Sequence, residues 1–304
     1  MEKQAKMKAI STMLIFGSIG LFVRYIPLSS LDIAFYRAFI GALFIGIYSL
    51  VRKQSFSFQQ IKANRMPLLV SGTALGLNWV FLFKAFQTTT IAAATLSYYT
   101  APIWVALLAP VFLKESVSKY NRIATALALF GVFLLSNGNI QWGGFSEDTL
   151  GIGYGLLAAL FYTMVMLANK FLKDIDNTSR TVSQLGLSAI VLLPFVLGSG
   201  NEWFVNLSGL TMVEVLLLVS VGVIHTGVAY ALYFSALKEL KAQTVAVLSY
   251  IDPLAAVGLA FLVLGEHLSL LQMFGGACIL ASTMISENIF IQKKILHNQK
   301  KNEV

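Results

Sequence analysis

A few polar and aromatic residues sit where a hydrocarbon environment makes them costly. Asp252 falls at the middle of the apolar run 241–264, directly before Pro253. His225 is at the middle of run 212–237, and Asn78 and Trp79 are at the middle of run 66–86. Arg37 lies in run 32–51, about five residues, or roughly 8 Å of helix, from its nearer end. Tyr99 and Tyr250 stand three residues ahead of Pro102 and Pro253 respectively. An Asp or Arg at mid-helix in a bilayer costs about 2.5–3.5 kcal/mol, so such groups mark a binding site or a structural pair. Their chemistry is recognition: Arg37 suits a carboxylate, Asp252 an amine or cation, and the aromatic rings an apolar body. Asp252 and His225 are also the candidate protonation sites.

Each of these residues has a plainer reading. Arg37 can snorkel to the membrane surface. His225 can be a neutral packing residue bonded to a backbone carbonyl, and Asn78 a hydrogen-bonding link between helices. Neighbouring tyrosines on a helix face different ways, so either Tyr98 or Tyr99 must pack in the core. Asp252 is too deep to snorkel. The prolines have a mechanical reading: Pro102 leaves the carbonyl of Tyr98 without its helical donor, and Pro253 that of Ser249. Such breaks can act as hinges or merely shape the bundle.

The surrounding elements are set by composition. The 304 residues are 57% hydrophobic and 12% charged, against about a quarter charged in soluble chains. Mean hydropathy is +0.75. Runs of about 20 apolar residues, enough to cross roughly 30 Å of hydrocarbon, recur at 7–25, 32–51, 66–86, 89–113, 120–136, 149–171, 180–198, 212–237, 241–264 and 268–286. The expected fold is an all-α integral membrane protein of ten transmembrane helices. With the N-terminus in the cytoplasm, every lysine and arginine except Arg24, Arg37 and Lys84 falls in a cytoplasmic segment. The opposite loops carry Glu147, Asp148, Glu202 and Glu266. Both termini are therefore expected inside, and Arg24, Lys84 and Trp203 read as interface anchors. The net charge of +8 is a topology signal, with no basic stripe suited to nucleic acid. The single cysteine, Cys278, has no partner in the chain for a disulfide.

The chain repeats itself at an offset of 151 residues. Phe83 meets Phe234, Tyr99 meets Tyr250, Pro102 meets Pro253 and Glu115 meets Glu266 without a gap. Five spans per half is an odd number, so the second half enters the membrane from the opposite face. The expected organisation is a first repeat at 1–136, an external linker at 137–148, a second, inverted repeat at 149–292 and a basic cytoplasmic tail at 293–304. Inverted repeats are a recurrent plan of secondary transporters.

The pieces "FLFKAFQTTTIAAATLSYYTAPIW" with "FLKES", and "LYFSALKELKAQTVAVLSYIDPLAAV" with "VLGEH", together with "AFYRAFIGALF", resemble the EamA-type family of the drug/metabolite transporter superfamily. The likeness covers about 10–136 and 151–286, and it is the arrangement that carries it. The second half departs from the first at Gln184, near the position answering Arg37. The resemblance implies movement of small metabolites through a central cavity between the halves and leaves the substrate open.

No Walker A motif, Cys/His metal spacing or His-Glu-x-x-His is present, and "GIGYG" at 151–155 opens a membrane span rather than a phosphate loop. No cofactor is implied. Three histidines and few intramembrane carboxylates leave little for a catalytic set, so the chain is not read as an enzyme. The expected function is secondary-active transport of an amino acid or related amphipathic metabolite across the cytoplasmic membrane, with export favoured over uptake. The expected site is Arg37, Asn78, Trp79, Tyr99, His225, Tyr250 and Asp252, with Pro102 and Pro253 as hinges. The alternative is a lipid-translocating or channel-like protein. Proton coupling and oligomeric state are not legible in the residues.

Overall fold

Short hydroxyl side chains start six of the helices. In a computed structural model of the chain, Ser29, Ser57, Thr90, Ser118, Ser146 and Thr211 each accept a hydrogen bond from a backbone N–H of the following first turn. At Thr211 the cap is reciprocal, because Glu214 accepts from the Thr211 N–H. Each cap satisfies one of the donors that a helix start leaves unpaired. The structure describes residues 2–53, 56–113, 118–136, 146–198, 208–237 and 239–286, and all regular structure among them is helical.

The helices are α1 (Glu2–Arg24), α2 (Ser30–Val51), the short α3 (Phe58–Ala63), α4 (Arg65–Thr88), α5 (Ile91–Tyr98), α6 (Ala101–Leu113), α7 (Lys119–Leu135), α8 (Glu147–Asn169) and α9 (Asn177–Gly198). After them come α10 (Met212–Gly222), a π-turn (Val223–Val228), α11 (Ala229–Leu237), α12 (Ala242–Ser249), α13 (Ile251–Leu264) and α14 (Leu270–Ser286). Eight segments among the described residues are long and apolar enough to cross a bilayer. In these, α5 and α6 form one span, α10 and α11 another, and α12 and α13 a third. The expected fifth and tenth spans correspond to α7 and α14, each a shorter helix of 17 residues, or about 25 Å. Most of the 137–148 linker, the 293–304 tail, Lys114, Glu115, Trp203 and Lys238 lie outside the described residues.

Packing is by pairs. Helix α4 runs along α8, α7 along α14, α2 along α9, and α1 along α11 and α13, while α5 and α6 lean on α8. Small residues permit the closest approaches, as expected where lipid gives no hydrophobic drive between helices. At Gly17 a Cβ would sit 2.6 Å from the Asp252 carbonyl, so only glycine lets α1 lie against the start of α13. At Gly72 a Cβ would meet the Leu187 Cβ at 2.7 Å, and Ser188 uses the same closeness to donate to the Gly72 carbonyl at 2.6 Å. Large apolar side chains such as Leu50, Val111, Leu262 and Leu270 face outward, exposed, as a lipid-facing surface requires.

The two ends of the bundle are tied differently. At one end Arg24 donates to the Thr89 carbonyl at 2.8 Å and pairs with Glu266 at 3.0 Å. Glu266 also accepts from the Ile91 N–H at 2.9 Å, and Thr89 donates to Asp148 at 2.9 Å. At the other end Asn64 exchanges two hydrogen bonds of 2.8 Å with the backbone of Lys173, and Gln60 accepts from the Asp176 N–H at 3.2 Å.

Candidate functional site

The spans that carry Pro102 and Pro253 break just ahead of these two prolines. Helix α5 stops at Tyr98 and α6 resumes at Ala101, one residue before Pro102; α12 stops at Ser249 and α13 resumes at Ile251, two before Pro253. The Ser249 carbonyl, deprived of its helical donor by Pro253, lies 3.2 Å from the Tyr99 hydroxyl. The same hydroxyl donates to Asp252 Oδ2 at 2.9 Å. A side chain at one break therefore meets both the carbonyl and the carboxylate at the other. Tyr99 has one hydroxyl hydrogen and two acceptors in reach, so it serves one at a time.

Arg37 stays inside the bundle. It is 5% exposed, its Nε donates to Thr226 Oγ1 at 3.0 Å, and its guanidinium lies 4.1 Å from the centroid of the Trp79 ring, with Phe83 at 5.6 Å. Such a stacked cation is worth about 2 kcal/mol when desolvated. No carboxylate pairs with it among the described residues, although Asp252, Tyr98 and Tyr230 lie within electrostatic reach. The π-turn presents Thr226: its hydroxyl donates to the Val221 carbonyl at 3.0 Å, and the widened turn holds it against α2. Single π-turns inside α-helices gather at functional sites.

The remaining expected residues are placed around this pair rather than all within it. His225, on the same π-turn, is buried with Nδ1 3.2 Å from the Ser220 carbonyl and Nε2 3.0 Å from Ser18, under the edge of Phe22. Ser18 is also bonded to the Ile15 carbonyl at 2.8 Å. Its one hydrogen cannot serve Ile15 and a bare Nε2 together, so the two contacts hold at once only when Nε2 carries a proton. Asn78 donates to the Ala158 carbonyl at 2.7 Å, linking α4 to α8, while its Oδ1 is buried without a hydrogen-bond partner among the described residues. Tyr98 packs beside Tyr162 at 5.6 Å between ring centroids. Tyr250 turns away from Asp252 and meets Thr283 of α14 at 2.9 Å.

A cavity of about 300 Å³ lies between α2, the first turns of α9, and the π-turn with α11. Phe44, Tyr48, Thr181, Tyr230 and Phe234 are among its walls, and Asp252 and Trp79 are not. No motif marks Thr226 or Tyr230; the only pointer is that Thr226 follows His225 in mid-span.

A bundle of long apolar helices that breaks two of them beside a half-buried carboxylate and holds a buried arginine within it is the build of a multi-pass membrane transporter. The chain belongs to the EamA-like transporter family, whose pattern matches residues 5–137 and again 149–287. This places it in the drug/metabolite transporter superfamily. An uncharacterized transporter of Bacillus subtilis is 32% identical over 94% of this chain and 90% of its own length. One of Archaeoglobus fulgidus is 29% identical over 89% and 91%. Solute carrier family 35 member G1 of Mus musculus is 27% identical over 83% and 72%. A protein of known crystal structure shares the fold, with a TM-score of 0.61 at 18% identity over 93% of this chain and 96% of its own. The protein is a membrane transporter, with a small-molecule substrate and a lipid environment.

Proposed function

We propose that the protein is a secondary-active carrier that exports an amino acid or related amphipathic metabolite across the cytoplasmic membrane by alternating access. The observation that carries the substrate class is a pair of opposite charges inside the bundle, Arg37 buried and Asp252 half-buried. Arg37 under Trp79 offers guanidinium N–H groups to a carboxylate, and Asp252, held by Tyr99, offers oxygens to an amine. Asn78 Oδ1 adds an unused acceptor nearby.

Ten spans in two inverted repeats, 1–136 and 149–292, remain the reading of the fold. Exchanging each span with the one five places on maps α4 on α8 to α11 on α1, and α5 on α8 to α12–α13 on α1. The pairs α2 with α9 and α7 with α14 map onto themselves. The cavity lies toward the end carrying Lys8 and Asn177, expected to be cytoplasmic, while Arg24 and Glu266 tie the other end, which supports an inward-facing state of such a carrier. Tyr99 and Ser18 each have a second acceptor to turn to when Asp252 or His225 changes protonation, which supports protons as the coupling ion. Pro102 and Pro253 are the hinges in this scheme.

The test is counterflow in proteoliposomes. Liposomes loaded with an unlabelled amino-acid mixture should accumulate labelled members of that mixture in a protein-dependent way. Movement of headgroup-labelled lipid without solute counterflow would replace this reading with the lipid-translocating one.

A further inference from the structure

We propose that the cavity between α2, α9 and α11 is an anion-recruiting vestibule, in which Arg180 and Lys8 draw in the carboxylate of the solute and pass it along Tyr230 to Arg37. The proposal deepens the carrier reading and names the group that enters first.

Arg180 is half-buried in the first turns of α9 and lies 5.4 Å from the centroid of the Phe234 ring, a wall of the cavity. No carboxylate pairs with it and no side-chain hydrogen bond holds it among the described residues. An arginine so placed, desolvated on one face and unneutralised, is a ready partner for an anion. On the other side of the cavity Lys8 donates to Ser235, itself a wall residue, at 2.9 Å.

Between these cations and Arg37 stands Tyr230. It lines the cavity, its hydroxyl makes no hydrogen bond in the protein among the described residues, and it lies within electrostatic reach of both Arg37 and Arg180. Thr226, Tyr230 and Phe234 follow at four-residue spacing. Thr226, which holds the Arg37 guanidinium, and Phe234, which holds that of Arg180, are about two helical turns apart, roughly 12 Å. That is too far for one carboxylate to bridge and short enough for a hand-over with the tyrosine hydroxyl midway. Among the described residues, no acidic residue lines the cavity. Of two carboxylates that border this end, Glu2 pairs with Lys6 at 2.7 Å, while Asp176 caps α9 through Oδ1, accepting from the Ser179 N–H at 2.8 Å, and keeps Oδ2 buried without a hydrogen-bond partner among the described residues. The apolar part of the solute would lie against Phe44 and Phe234.

The experiment reads the cavity's charge directly and needs no known substrate. Ala231, an exposed wall residue, is replaced by cysteine in a Cys278→Ser background of the full chain in nanodiscs. Its modification rates are measured with anionic 2-sulfonatoethyl and cationic 2-(trimethylammonium)ethyl methanethiosulfonate. The anionic-to-cationic ratio should exceed that of a free thiol by about tenfold, fall several-fold in Arg180→Gln, and hold in Arg180→Lys. Sodium benzoate should slow labelling in the parent and not in Arg180→Gln, whereas benzylamine should slow neither. A ratio unchanged by Arg180→Gln, or equal protection by benzoate and benzylamine, overturns the proposal. Should Arg180→Gln fail to fold, Lys8→Gln on the opposite wall gives the same readout. Labelling does not depend on turnover, so a chain that shows the Arg180 effect but no amino-acid counterflow would refute the carrier reading and leave the vestibule standing.

Discussion

The hydroxyl of Tyr99, at the break of one span, donates to the carboxylate of Asp252, at the break of another, across 2.9 Å. Because the Ser249 carbonyl waits 3.2 Å away, the hydroxyl has a second acceptor when Asp252 binds a cation or takes a proton. Tyr99→Phe should therefore leave the protein folded and slow turnover, while Asp252→Asn should cut transport at least about tenfold. The check is initial counterflow rate at equal membrane levels of each variant. A parent-like rate in Asp252→Asn would make the carboxylate structural.

Arg24 and Glu266 are expected to part each time the site opens toward their end. Cysteines at these two positions, joined by a reducible bis-methanethiosulfonate linker in a Cys278→Ser background, should stop turnover, and reduction should restore it. Linked protein that transports at the unlinked rate would remove the pair from the gate.

Pro102 and Pro253 leave helical carbonyls free at the two breaks. Alanine at either position should restore a helical hydrogen bond and stiffen the span. Exchange between inward- and outward-facing forms should slow several-fold, with substrate affinity changed less. Unchanged turnover in both variants would reduce the prolines to shaping the bundle.

The inverted plan fixes which loops share a face. Single cysteines at Asp148 and Lys173 should react with an impermeant maleimide from opposite sides of sealed vesicles. Labelling of both from one side would defeat the five-plus-five arrangement.

Composition alone makes the long apolar helices legible, and the prolines announce both breaks, down to the Ser249 carbonyl that Tyr99 now approaches. Depth along a span is likewise readable, which is why Arg37 and Asp252 stand out. Direction around a helix is not. The π-turn at Val223–Val228 inserts one residue, which rotates the following side chains by about 100°. No pattern in the residues announces that insertion, so Thr226 as the partner of Arg37 was invisible. Tyr250 was grouped with Asp252 by position, yet packing against α14 turns it to Thr283. Asn78 spends its amide on Ala158, the interhelical link that a buried asparagine often provides. The cavity walled by Tyr230 and Phe234 lies one step toward the Lys8 end from the charged pair, because Trp79 and Phe83 fill the space beside Arg37.

In the proposed carrier, Arg37 and Asp252 bind the two ends of one zwitterionic solute. This binding is tested most directly by thermal stabilisation of the purified parent, Arg37→Gln and Asp252→Asn across a set of amino acids and, for each, its decarboxylated amine and its deaminated acid. At least one amino acid should stabilise the parent more than either of its fragments. Arg37→Gln should lose the preference for the amino acid over the amine, and Asp252→Asn the preference for it over the acid. Equal stabilisation by amino acid, amine and acid in all three proteins would contradict this two-ended binding.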